Sequence, residues 1–268
     1  MHPLLFEINL GFLKIPLHSY GFLIAIGFLC GIATVRKLSV LSKMNPDVNA
    51  DLAFWLLIYG FLGARVLFVI TRLDFFIQNP FEIFKVWEGG LVFFGGLIAA
   101  TIYAVFYFRK HKLNVWKMID VLSPGLVVSH AFGRIGCLAA GCCYGSPTQK
   151  PWGIRLNSNL VDEIVRGVPL HPTQIYESLS LFILYGGMLY VFRHKKFDGQ
   201  VGLTYFILYP IIRSIIEIYR GDSIRGFVID GILSTSQFIS ILVFIVALSV
   251  LFYRIRQTEL NVSNRRVG

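Results

Sequence analysis

Seven long apolar stretches constrain the fold of this chain more than any other feature. A helix needs about 20 mostly apolar residues to cross a hydrocarbon core about 30 Å thick. Hydrophobic residues make up 55% of the 268-residue chain and charged residues 15%, well below the share in soluble domains. The sequence therefore predicts an all-α integral membrane protein with about seven transmembrane helices in a single domain, residues 1–268. The predicted spans lie near residues 19–38, 51–70, 89–108, 118–136, 175–192, 201–219 and 233–252.

The basic residues predict how the chain is oriented in the membrane. The segments after the first, third, fifth and seventh spans carry more Lys and Arg than the alternate segments. Basic segments stay on the cytoplasmic side, so we expect the N-terminus outside and the C-terminus in the cytoplasm. The non-apolar segment 139–174 is then an extracytoplasmic loop. The net charge of +10 is spread over these short clusters, and we expect no nucleic-acid partner.

Several local features refine this topology. The small residues Gly60, Gly63 and Ala64 predict close helix packing in the second span. The run Ser123-Pro124-Gly125 predicts a break within the fourth span. No cleavable signal peptide is expected at the N-terminus. The absence of a strong internal repeat argues against an inverted-repeat transporter.

Three arginines, Arg65, Arg134 and Arg213, fall inside predicted spans. An ionisable residue at membrane depth needs a partner, water or a ligand, and marks a candidate functional site. Glu217 and Arg220 follow Arg213 at helical spacing, which predicts one shared helix face. These groups form either an ion pair that fixes helix packing or an anion site. Two arginines with one nearby acid would leave positive charge for a phosphate, whereas for Arg65 a structural role is equally compatible.

Three clustered cysteines suggest a metal site, but their sequence spacing does not favour one. Cys137, Cys142 and Cys143 lie close in sequence, but no second pair or spaced histidine completes a tetrahedral set. We expect small polarisable packing residues there, and metal binding or nucleophilic thiol chemistry remain less favoured alternatives. His171 precedes a proline at the entry of the fifth span and is either a helix-entry residue or part of a site wall. Tyr20 alone is typical of an interfacial anchor.

Several segments together resemble one family, the bacterial prolipoprotein diacylglyceryl transferases, in family order and spacing over nearly the whole chain. The matching pieces are Ser19-Tyr20-Gly21, Gly63-Ala64-Arg65, Trp87-x-Gly89-Gly90-x4-Gly95-Gly96, Gly133-Arg134-x-Gly136 with Gly141 and Gly145, His171-Pro172-Thr173-Gln174-x-Tyr176-Glu177, and Arg213-x3-Glu217-x2-Arg220.

The resemblance implies a multi-pass enzyme of the bacterial cytoplasmic (inner) membrane that works in the lipid bilayer without metal or other cofactor. Its expected partners are phosphatidylglycerol and a preprolipoprotein signal peptide with a lipobox cysteine. The expected reaction moves the diacylglyceryl group onto that thiol and releases glycerol phosphate. The resemblance and the residue arguments together assign catalysis to Arg134, Arg213 and Glu217, and substrate binding to Arg134, Arg213, Tyr20, Gly145, Cys137, Cys142, His171 and Arg65.

The chain departs from the family pattern at three positions. Cys137 stands where the family commonly has asparagine, Cys142 where it has glutamate, and Phe94 where it often has histidine. Phe94 cannot act as a base, so the base is Glu217 or a residue that the sequence does not identify. Two other functions stay open: a transporter or receptor that binds anionic lipid through the same arginines, and a family member that binds without catalysis.

Overall fold

A computed structural model shows a mostly helical chain and describes residues 4–9, 14–86, 89–157, 161–221, 226–229 and 231–267. Each of the seven predicted spans corresponds to a long helix. The helices are α1 (Ser19–Leu41), α2 (Pro46–Thr71), the short α3 (Leu73–Gln78), α4 (Phe93–Lys110), α5 (Val115–Ala140), α6 (Thr173–His194), α7 (Gln200–Ile218) and α8 (Thr235–Val267). Short strands of two to six residues pair with one another. The pairs are β1 (Leu4–Asn9) with β2 (Lys14–His18), β3 (Ile154–Arg155) with β4 (Pro169–Leu170), and β5 (Phe227–Ile229) with β6 (Leu233–Ser234).

Six of these helices are long and apolar enough to cross a membrane, which establishes a multi-pass membrane protein. They are α1, α2, α5, α6, α7 and α8. Helix α4 has 18 residues and ends in Arg109 and Lys110, which lower its hydropathy. Many large apolar side chains on the helices are exposed, including Leu29 and Ile183, as expected for surfaces that contact lipid. The count of seven spans and the orientation stay predictions.

The chain divides into two compact units, residues 1–34 with 119–268, and residues 35–118. The prediction of a single transmembrane domain is not tested by this division. In the second unit, α2 and α4 approach closely through small residues. A Cβ added at Gly63 would lie 2.5 Å from the Gly95 carbonyl oxygen, and one added at Gly95 would lie 2.3 Å from that of Gly63. Neither position tolerates a side chain, so the predicted close packing by small residues in α2 is confirmed.

In the first unit, small residues also join α1 to α5. A Cβ at Gly31 would lie 2.9 Å from the Gly125 carbonyl oxygen, and the Ser129 hydroxyl donates to the Gly27 carbonyl at 2.9 Å. The break predicted at Ser123-Pro124-Gly125 was wrong, because α5 runs through Pro124 without interruption. Pro124 removes one hydrogen bond of the helix. Packing of Gly125 and Ser129 on α1 holds the two helices together around it.

A buried carboxylate fastens the start of α7 to α5. Asp120 is fully buried and accepts hydrogen bonds from the backbone N–H groups of Gly199, Val201 and Gly202 at 2.8–3.1 Å. A negative charge is favourable at a helix N-terminus. Lys195 Nζ donates to Asp120 at 2.7 Å. Burial alone lowers the pKa of Lys195, but its hydrogen bonds to Asp120 and Asp198 raise it overall.

The described part of the segment between α5 and α6 has a small apolar core of its own. This segment runs from residue 141 to residue 172, close to the predicted 139–174, and contains the β3–β4 hairpin. Its apolar core consists of four buried residues, Tyr144, Leu156, Val161 and Leu170. This core fixes the two ends of the segment, which carry the cysteines and His171.

Candidate functional site

The candidate site in the first unit is organised around Glu177, a carboxylate with a side chain 1% exposed. Glu177 lies on α6 and forms an ion pair with Arg134 of α5, whose Nη2 donates to its Oε2. Arg213 Nη1 of α7 lies 3.7 Å from the same oxygen. On the other oxygen, Oε1, Tyr209 donates a hydrogen bond at 3.0 Å and His130 Nε2 lies 3.6 Å away. One carboxylate of α6 therefore aligns groups from two other helices, α5 and α7.

Arg213 has two further partners that fix its guanidinium. Its Nη2 forms a 2.6 Å ion pair with Glu217 Oε2, four residues on along α7, and its Nε donates to the Ser236 hydroxyl at 2.9 Å. Arg213 and Glu217 therefore share one helix face as predicted, and the ion pair, one of the two alternatives that the sequence leaves open, is present. The prediction that Arg220 shares this helix face was wrong, because α7 ends at Ile218 and Arg220 forms a β-bridge with Gly145.

Two carboxylates, not one, accompany the buried arginines. The expectation of unbalanced positive charge beside Glu217 was wrong, because Glu177 also lies between the two arginines. What remains available is hydrogen-bonding capacity. Arg134 Nε and Arg213 Nη1 are buried and have no hydrogen-bond partner in the described ranges. Buried donors without partners are costly, and the oxygens of a phosphate satisfy such donors well.

Gly145 joins the two loops beside the site because only glycine fits there. A Cβ on it would lie 2.5 Å from His171 Cβ and 2.7 Å from the Tyr219 carbonyl oxygen. Its N–H donates to the His171 carbonyl at 2.9 Å. The Trp152 indole donates to the Tyr176 hydroxyl at 2.8 Å, and that hydroxyl lies 3.1 Å from His171 Nδ1. Trp152, Tyr176 and His171 thus form an aromatic cluster that contacts Gly145. The spacing of these residues along the sequence does not reveal it.

The three sulfurs of Cys137, Cys142 and Cys143 lie within 4.8 Å of one another. Arg134 Nη1 lies 4.0 Å from Cys137 Sγ. Hydrogen bonding with the Cys137 and Cys142 thiols lowers the pKa of Cys143, and the Arg134 guanidinium also favours its thiolate. Hydrogen bonding with Cys137 and Cys143 raises the pKa of Cys142. The sequence spacing predicts poor geometry for metal coordination, whereas the fold brings all three thiols together.

Tyr20 lies beside this part of the signature. A Cβ on Gly136 would lie 3.1 Å from Tyr20 Cδ2, so the ring packs over the glycine, and the residue is 42% exposed. Its predicted role in substrate binding stays a prediction.

Arg65 lies in the other unit, where backbone carbonyl groups and the rings of Phe68 and Phe76 hold its guanidinium. Its guanidinium is buried and donates to five carbonyl oxygens at 2.6–3.2 Å, those of Glu82, Ile83, Lys85, Gly89 and Gly90. These bonds fix the segment between α3 and α4, which gives Arg65 a structural role. Its role in substrate binding stays a prediction. Phe94 is 49% exposed at the start of α4, and Trp87 of the same motif lies outside the described residues.

Sequence reasoning missed Glu177, His130 and Tyr209 as members of the arginine cluster. Glu177 stands near the start of a predicted span and is ionisable, so the rule that singled out the arginines could have found it. His130 opens the signature stretch but shows no spacing that links it to Glu177. Tyr209 looks like any aromatic residue of an apolar helix.

Comparison with known proteins identifies the family. A family model described as prolipoprotein diacylglyceryl transferase matches residues 3–253. A phosphatidylglycerol–prolipoprotein diacylglyceryl transferase of Clostridium tetani is 38% identical over 251 residues, which cover 93% of this chain and 96% of the relative. A second enzyme so named, from Clostridium perfringens, is 37% identical over 91% of this chain and 93% of its own length. A third, from Finegoldia magna, is 36% identical over 84% and 86%. The chain belongs to the prolipoprotein diacylglyceryl transferase family.

Proposed function

We propose that this protein transfers the diacylglyceryl group of phosphatidylglycerol to the lipobox cysteine thiol of preprolipoproteins and releases glycerol phosphate. The observation that carries the proposal is a buried arginine pair, aligned on Glu177, in a chain that matches the family over almost its whole length. The proposed location is the bacterial cytoplasmic (inner) membrane, with the N-terminus outside.

The chemistry requires a negative charge to be stabilised. The acceptor sulfur attacks the glycerol carbon that carries the phosphate ester, and the carbon–oxygen bond breaks. The electron pair of that bond stays on the phosphate oxygen, so glycerol phosphate leaves as a monoester with additional negative charge. Fixed donors in a low-dielectric site stabilise such charge strongly, and one donor contributes about 10²–10³-fold in rate.

The donors proposed for this role are Arg134 Nε and Arg213 Nη1, since both atoms are buried and neither donates a hydrogen bond within the described part of the chain. Glu177 pairs with Arg134 through Nη2 and lies 3.7 Å from Arg213 Nη1, and Glu217 fixes Arg213 through its Nη2. Only the part of their binding that strengthens as charge develops raises the rate. Glu217 is committed to Arg213 at 2.6 Å, which makes it a positioning residue rather than a free base.

The experiment supplies phosphatidylglycerol and a lipobox peptide to the purified protein and measures thioether product and released glycerol phosphate. One glycerol phosphate is expected for each modified peptide, and none with a peptide in which serine replaces the lipobox cysteine. Binding or movement of lipid without release would instead show a transporter or a non-catalytic binder. That result would overturn the proposal.

A further inference from the structure

The local fold builds a three-thiol site from the end of α5. Gly141 has a left-handed φ of 78°. Its N–H donates to the Leu138 carbonyl at 3.1 Å, and the Cys142 N–H donates to the Cys137 carbonyl at 3.0 Å. This is the hydrogen-bond pattern of a Schellman cap, which places the second residue after the helix end over the last turn. That contact is usually made by two apolar side chains. Here it brings Cys142 onto Cys137.

The third thiol is brought in by an unusual backbone conformation. Cys143 has a φ of 61°, in a region that residues other than glycine rarely adopt. Two fully buried side chains of α6 hold the turn in place: Gln174 donates to the Cys142 carbonyl at 2.7 Å, and Thr173 donates to the Cys143 carbonyl at 2.9 Å. Left-handed conformations persist where the surroundings enforce them, and they concentrate at functional sites. The three sulfurs are thus positioned by the fold before any ligand binds.

The geometry suits a small thiophilic cation. With a Zn–S bond of about 2.3 Å, two sulfurs on one tetrahedral ion are about 3.8 Å apart. The three sulfurs here lie within 4.8 Å of one another, so side-chain rotations close the remaining gap. Three thiolates on Zn²⁺ give a net charge of about −1. Arg134 Nη1, which lies 4.0 Å from Cys137 Sγ, can donate a hydrogen bond to that thiolate.

We propose that Cys137, Cys142 and Cys143 bind one Zn²⁺ through their thiolates and leave its fourth position for a ligand from outside the chain. The described residues place these three potential ligands together and add no histidine or carboxylate to the group. A zinc site with three protein ligands and one open position is typical of catalytic rather than structural zinc. Thiolates select zinc over hard cations such as Mg²⁺.

The fourth ligand follows from the proposed function, on which this step alone rests. The acceptor in that reaction is a thiol, and a thiol that coordinates zinc is deprotonated. The acceptor S–H loses its proton to solvent as the Zn–S bond forms. The bound sulfur then attacks the glycerol carbon of the lipid beside Arg134. This supplies the thiolate in a chain that has Phe94 where the family often has histidine.

The site itself is tested by metal binding to the full-length, reduced and metal-free protein in detergent. Co²⁺ serves as the probe because thiolate ligation gives a strong charge-transfer band. One equivalent is expected to bind, Zn²⁺ is expected to displace it, and Mg²⁺ is not. Each of Cys137→Ser, Cys142→Ser and Cys143→Ser removes a ligand and is expected to weaken Zn²⁺ binding by more than the about 10–100-fold typical for loss of an outer-shell partner. Cys30→Ser, which changes a thiol of α1 outside the group, is the matched control and binds normally.

A wild-type protein without a one-to-one Co²⁺ band, or a triple-serine variant that retains it, overturns the proposal. The fourth ligand is tested without phosphatidylglycerol, so that no transfer takes place. A lipobox peptide with cysteine is expected to increase the Co²⁺ band by about one third, as four thiolates replace three, and a serine peptide is not. If the cysteine peptide leaves the band unchanged, the fourth-ligand step is wrong. Glycerol phosphate release, measured separately, tells whether the transferase function stands.

Discussion

Replacing Glu177 with glutamine tests the arrangement that aligns the two arginines. The amide keeps the size of the side chain and one acceptor oxygen, which suffices for the Tyr209 hydroxyl. It removes the negative charge that faces Arg134 and Arg213. The guanidiniums then repel each other and lose the ion pairs that fix their orientation.

The magnitude follows from the burial of this group. Glu177 is 1% exposed, so solvent screens its ion pairs little. Removing one partner of a buried ion pair costs about 3–5 kcal/mol, and the retained amide oxygen favours the lower end. If about 3 kcal/mol of this is lost from the transition state, kcat falls by about 100-fold, since a tenfold change in rate corresponds to about 1.4 kcal/mol. The KM for phosphatidylglycerol is not expected to rise, because the uncompensated guanidiniums still bind the phosphodiester in the ground state.

The assay is initial-rate transfer to a lipobox peptide over a range of lipid concentrations, with thermal unfolding in detergent measured on the same preparation. Glu163→Gln is the matched control, since Glu163 is exposed in the loop between α5 and α6, and it is expected to leave both kinetic constants unchanged. A Glu177→Gln protein that is stably folded and transfers within twofold of the wild-type rate would refute the reasoning.

Three further substitutions test the fold of the two units through thermal unfolding in detergent. Asp120→Ala removes the buried charge at the start of α7 and is expected to lower the free energy of unfolding by about 3 kcal/mol, with exposed Asp74→Ala as the control within about 0.5 kcal/mol. Because the pKa of Lys195 is raised in the folded state, its contribution is complete at neutral pH and is lost only as pH rises above about 10; a loss below pH 8 would contradict this. Gly145→Ala forces a Cβ against His171 and is expected to lower the free energy of unfolding by about 1–3 kcal/mol. Gly187→Ala, in open space on α6, is expected to leave that free energy unchanged or to raise it. Equal effects of the two substitutions would refute the steric argument. Arg65→Ala leaves five carbonyl oxygens without their donor and is expected to destabilise the protein without changing the KM for lipid in the folded fraction, and a raised KM would instead show substrate contact.

The sequence predicted the helices well because apolar length is a local property. Each of the seven predicted spans overlaps a helix. The close packing at Gly63 follows from small residues that are recognisable in the sequence. The predicted break at Pro124 failed because a proline removes one hydrogen bond, and neighbouring packing can hold a helix together around that loss. That packing involves α1, about 100 residues earlier, and no local pattern reveals it.

The candidate site was predicted in part for the same reason. Arg134 and Arg213 are visible as charges in apolar runs, and Glu217 as a helical neighbour of Arg213. The central position of Glu177 depends on how α6 meets α5 and α7, so the sequence could not count it in the charge balance. The cysteines were judged by sequence spacing, whereas their approach depends on a helix cap and on the left-handed backbone of Cys143.

The central claim is that Arg134 and Arg213 stabilise the charge that develops on the phosphate. The most direct measurement is glycerol phosphate release by Arg134→Ala and Arg213→Ala, each with phosphatidylglycerol, a lipobox peptide and a matched check of folding in detergent. The account predicts that each variant remains folded and loses transfer by at least about 100-fold. Wild-type rates of release from both folded variants would contradict it.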